Sequence, residues 1–213
     1  LLLLLMLASL LTWGGVTARR AYEHSNILLK DVSQLRGKIT SSPSISTIQE
    51  AGPLLVKVRE DFSALQGEVV PFLWLCPWLE WVPVYGEDIV LAPDLVLLVD
   101  NLLHSADQTY QALFPLLESY EKNSVRLDPA GMVGLLYQAQ PQLIQAQASL
   151  EAAKDARAQL DSHPISDRIR GMGLDDVDKV IALMDHGLTL AVEIPDLLGA
   201  TTEGPKTYLL LAQ

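Results

Sequence analysis

The sequence contains one cysteine, Cys76. That count excludes an internal disulfide and any cluster of thiolate zinc ligands, so the chain must reach its stability by burying side chains. Basic residues are also scarce, with 15 Lys and Arg against 26 Asp and Glu and a formal net charge of -11. A broad grip on phosphate backbones needs the opposite sign, and nucleic acid is not an expected partner. Familiar catalytic motifs are missing as well: there is no G-x-S-x-G elbow, phosphate loop or dinucleotide fingerprint. His24, His104, His163 and His186 are scattered at spacings that suit neither a metal site nor an HExxH helix. Asp175, Asp176 and Asp178 cluster without the further oxygen ligands and glycine of a calcium loop, so they are expected to oppose the dipole at a helix start. Cys76, between Leu75 and Pro77, reads as a small hydrophobe. No catalytic residue, metal ligand or cofactor site is expected.

What is present is apolar. Hydrophobic residues make up 49% of 213, enough to bury one good core and a second smaller one. Residues 1–18 carry no charged side chain, and Arg19 and Arg20 follow them. At about 1.5 Å per residue this run spans about 27 Å, close to the hydrocarbon thickness of a bilayer, and it is expected to be a transmembrane anchor extended by a few residues upstream of Leu1. A cleaved signal peptide is the alternative, since Val16, Thr17 and Ala18 resemble a small-residue cleavage site. A helix buried in a soluble core is the blander one. The anchor is preferred because the helical pattern continues through Arg19, although Gly14 and Gly15 weigh the other way.

Past the anchor, Ile27, Leu28, Val32, Leu35 and Ile39 keep a helical period to about Lys38. A serine-rich linker, Thr40 to Ser46, precedes a second helix with a capping box at Thr47 and Glu50 and an apolar face of Ile48, Leu55, Val58, Phe62, Leu65 and Val69. Pro53 could delay its start by a turn. A third helix is predicted from Glu87 to about Tyr120, with Pro93 in its first turn. A fourth starts at Asp128 and Pro129, carries Met132, Leu135, Leu136, Leu143, Leu150, Ala153 and Leu160 inward, is expected to kink at Pro141, and stops at Asp161 to Pro164. A fifth runs from Leu174 to Val192, with Val177, Ile181, Met184 and Leu188 inward, and is expected to break at Pro195.

Val69 to Tyr85 stands apart, with prolines at 71, 77 and 83 and Glu80 as its one charge. It is too short and too proline-rich to be a membrane-spanning helix. Trp74, Trp78 and Trp81 have two readings. The preferred one folds the segment into the bundle as a proline-shaped core plug. The other rests the three tryptophans on lipid as an interfacial foot, because helices of about 30 Å and 33 Å, from Arg19 to Lys38 and from Thr47 to Glu68, would lead away from the bilayer and back.

Gly204 and Pro205 mark a turn, after which Lys206 to Gln213 reads as a strand with nothing to pair with. The chain is thus expected to be part of a longer protein. Leu197-Leu198-Gly199, a polar linker, and Gly204-Pro205-Lys206-Thr207-Tyr208 with its leucine-rich continuation to Gln213 resemble the opening of a bacterial membrane-anchored family of unestablished role, domain of unknown function 4012. That family is similar in its N-terminal membrane helix, its helical region with a proline-rich middle such as Val82-Pro83-Val84-Tyr85-Gly86, and its strand. Its most recognisable motif follows the strand, and the tryptophan-rich segment is not a general feature of it. The resemblance implies a bacterial envelope protein anchored in the cytoplasmic membrane with its bulk outside, linked to surface polysaccharide.

The expected fold is therefore all-α: a transmembrane helix over 1–18, an extracytoplasmic bundle or stalk of about five helices over 19–198, and one strand of a following domain over 204–213. The expected function is non-catalytic, a helical region that positions a C-terminal domain above the bilayer, with the lipid bilayer and an envelope polysaccharide or another envelope protein as partners. Two other classes fit the same residues. One is a ligand-binding sensor module of a membrane receptor. The other is the stalk of an envelope glycan or phosphoryl transferase whose active site lies past Gln213.

Overall fold

The computed structural model describes residues 45–122, 129–171 and 173–198. The apolar run 1–18, the helix expected over 19–38 and the strand expected over 204–213 lie outside the described residues. Among the described residues every regular element is helical and none is a strand, as the apolar periodicity predicts. Four long helices carry the fold: α1 Ile45–Val69, α3 Ala92–Lys122, α4 Pro129–Leu160 and α6 Leu174–Leu197. Two five-residue helices, α2 Gly86–Val90 and α5 Asp167–Gly171, join them, and a 3-10 helix, Val70–Leu79, follows α1 without a break. No helix among the described residues is long and apolar enough to cross a membrane.

The chain divides into two compact units. The first contains the described residues up to Asp100 together with Gln159–Ser166; the second contains Asn101–Ala158 and Asp167 onward. In the first unit, α1 buries Ala51, Val58 and Phe62 and half-buries Leu55, Leu65 and Val69. These positions follow the spacing of four and three that keeps one helix face turned inward. The 3-10 helix packs against α1 and α2 and contributes Cys76 to the core, and Leu91 and Leu98 are buried as well. The helix expected from Glu87 is thus split. Leu91 adopts a single non-helical turn between α2 and α3, and Pro93 then occupies the first turn of α3, where its missing N–H leaves no bond unmade.

In the second unit, α4 turns a narrow stripe inward: Ala139, Leu143, Ala146, Leu150 and Ala153. Alternating alanine with leucine lowers the ridge of the helix at every other position, so a neighbouring backbone can come close. Ser105 of α3, fully buried, uses that approach to donate its hydroxyl to the Ala146 carbonyl at 2.8 Å. Ser149 donates to Gln108 Oε1 at 3.0 Å beside it, and Gln140 Nε2 donates to the Val192 carbonyl of α6 at 3.0 Å. On α6, Ile181 and Leu188 are buried and Val177 and Met184 half-buried, as predicted.

Two proline expectations need correction. Pro53 does not delay α1, which begins at Ile45, and Pro195 does not break α6, which continues to Leu197. α4 continues through Pro141. Pro53, Pro115 and Pro141 are all exposed, so each ring lies on the solvent side of its helix and not against the core. Pro195 falls in the last turn, where Leu198 N closes the helix on the Ile194 carbonyl at 2.9 Å. The stop at 161–164 is as expected: Ser162 Oγ caps the Gln159 carbonyl at 2.6 Å. Gly173 then takes φ of 105°, a conformation open to glycine, and its carbonyl accepts from Asp176 N and Val177 N to start α6.

Candidate functional site

The prolines of the segment after α1 make its backbone unusual. Pro71 stands at the start of the segment, where its missing N–H leaves no bond unmade, while Pro77 removes a donor from its interior. The chain tightens into ten residues of 3-10 helix, whereas runs beyond three or four residues are uncommon. With three residues per turn, every third side chain shares a ridge. Leu73, Cys76 and Leu79 form the inner ridge, with Cys76 buried and the leucines half-buried. Pro71, Trp74 and Pro77 form an outer ridge, all exposed. Phe72 and Leu75 on the third ridge are half-buried, while Trp78 at its end is exposed.

The core plug is therefore overturned for the tryptophans. Trp74, Trp78 and Trp81 are 68%, 74% and 77% exposed. Their spacing of four and three would align them on one α-helical face, but the three-residue turn gives the inner ridge to leucine and cysteine instead. Val70, Val84 and Tyr85 are exposed alongside them, and Glu80 is the one charged residue from 70 to 85. The result is an apolar, aromatic rim with almost no charge.

The turn that closes this rim is tightly specified. Val82 N donates to the Leu79 carbonyl at 3.0 Å and Gly86 N to the Val82 carbonyl at 2.8 Å. Gly86 is buried so close to the preceding turn that a Cβ would sit 2.0 Å from the Glu80 carbonyl oxygen. Val84 holds φ of 72°, a left-handed conformation that a β-branched residue adopts at a cost. The proline and tryptophan pattern marks this region in the sequence. Neither the tight spot at Gly86 nor the strain at Val84 has a signal there beyond the glycine itself.

The other candidate groups are occupied structurally. Burial raises the pKa of the Cys76 thiol, which opposes formation of a reactive thiolate. Asp175 and Asp176 lie in the first turn of α6, as the dipole argument predicts. Asp178 receives both Nε and Nη2 of Arg157 from α4, at 2.8 and 3.0 Å. One turn back on α4, Lys154 bridges Asp185 at 2.6 Å and Glu151 at 2.8 Å. The hydrogen bond to Asp185, then that to Glu151, raises the Lys154 pKa. His104, His163 and His186 are exposed, with His186 Nδ1 2.6 Å from the Ala182 carbonyl, and His24 lies outside the described residues. Among the described residues no group of His, Cys, Asp and Glu is placed to hold a metal ion. Comparisons of the chain with protein-family models, curated proteins and solved structures found no match.

Proposed function

We propose that the chain is the anchoring and spacing region of a bacterial cell-envelope protein, fixed in the cytoplasmic membrane by residues 1–18 and carrying its helical body outside. In this reading the helices perform no chemistry. They set the height and orientation of a C-terminal domain entered through Lys206 to Gln213, and the domain deals with an envelope polysaccharide or a neighbouring envelope protein.

One observation carries the reading: the body is helical in every regular element among its described residues and presents outward a charge-poor aromatic rim from Val70 to Tyr85. Exposed apolar clusters of this kind mark surfaces that meet a partner or a membrane. The apolar run before Arg19 and the likeness of Gly204 to Gln213 to the anchored bacterial family support the same reading.

Protease treatment of intact spheroplasts tests it. Residues 21–213 should be cut while a cytoplasmic control stays whole, and the remaining fragment should stay with the membrane after alkaline carbonate washing. Full protection while an outer-face control is digested would overturn the sidedness, and release by carbonate would overturn the anchor.

A further inference from the structure

We propose that Trp74, Trp78 and Trp81 lie in the headgroup layer of the bilayer, so that the chain touches the membrane at a second place besides its anchor; this rests on the anchored reading above. The chemistry of the rim matches that layer. An indole has a broad apolar body and one N–H donor, and the boundary between lipid tails and water satisfies both. Trp74, Trp78 and Trp81 are joined there by exposed Val70, Val84 and Tyr85, and the ridge of Pro71, Trp74 and Pro77 points away from the core. A specific protein interface pairs an apolar centre with a polar rim of hydrogen-bonding groups. From 70 to 85 the sequence offers Glu80 as its one charge, which suits lipid better.

The charge pattern makes the contact distinctive. The rim holds no Lys or Arg, and the chain as a whole carries -11. Attraction to anionic lipid, which needs basic side chains, cannot hold it. The contact must come from aromatic insertion and should be as strong on a zwitterionic bilayer as on an anionic one, or stronger.

The test uses the full chain as Trp13→Phe, so that its emission comes from the three rim tryptophans alone. It is reconstituted into phosphatidylcholine vesicles brominated near the headgroup end of the acyl chains, with and without added phosphatidylglycerol. The expected result is co-flotation with the vesicles, blue-shifted emission and strong quenching, none of it enhanced by phosphatidylglycerol. Co-flotation with red, unquenched emission overturns the second contact and leaves the anchor standing. Failure to float overturns the anchored reading and the contact with it. Quenching that appears only with phosphatidylglycerol overturns aromatic insertion as its cause. A concentration-dependent blue shift without vesicles, abolished by Trp78→Ser, means that a second copy covers the rim and also overturns the proposal.

Discussion

Gly86 is held to glycine by space. A Cβ there would stand 2.0 Å from the Glu80 carbonyl oxygen and 2.6 Å from its carbon, both backbone atoms that cannot swing aside. Gly86→Ala must open the turn from Glu80 to Gly86, and we expect it to cost about 3 kcal/mol in denaturant melts. Tryptophan emission should shift in the same variant, because Trp81 rides on that turn. Val84 offers the opposite case. Its φ of 72° costs a β-branched residue about 1–2 kcal/mol, and the exposed side chain contributes little packing in return. Asparagine tolerates this conformation, so Val84→Asn should stabilise the protein by about 1 kcal/mol, read as a higher denaturant midpoint with unchanged slope.

Among the elements, α4 depends on the smallness of its inward stripe. Ala146→Leu places a branched side chain where Ser105 of α3 reaches the backbone, so it both overfills the contact and separates a buried hydroxyl from its acceptor. The expected loss is about 2–4 kcal/mol, while Ser105→Ala, which removes the hydroxyl but keeps the close approach, should cost about 1 kcal/mol. The bridges between α4 and α6 predict a pH dependence. Hydrogen bonds from Asp185 and Glu151 raise the Lys154 pKa above its unfolded value. Its contribution is therefore fully present below the ordinary lysine pKa of about 10.4 and disappears as pH rises through the folded value. Lys154→Met should be less stable than the parent at neutral pH, by no more than about 1 kcal/mol for so accessible a pair, and the gap should close in strongly alkaline buffer.

Across the whole molecule, the long helices were legible because their apolar residues recur at three and four: Val58 and Phe62 on α1, Leu143 and Leu150 on α4, Ile181 and Leu188 on α6. Small residues were harder to read. Ala146 and Ala153 are as buried as the leucines, yet alanine occurs on every face of a helix and carries little sign of its own. Proline misled in both directions. At Pro53 a start delayed by one turn is the expectation, yet the exposed ring sits inside α1, which begins at Ile45. At Pro71 and Pro77 it foresaw the loss of an α-helix but not the tighter helix that replaced it. The candidate rim was visible as composition, while the direction of its side chains depended on a turn of three residues that α-helical spacing conceals. That turn also governs how the segment can vary. Losing or gaining a single residue between Pro71 and Pro77 would rotate everything after it by about 120°, swinging Trp78 toward the position of Cys76 or bringing a leucine out to water. Letters on the outer ridge can be exchanged at small cost, but the length of the stretch cannot, and related chains should differ there by replacement and never by insertion or deletion.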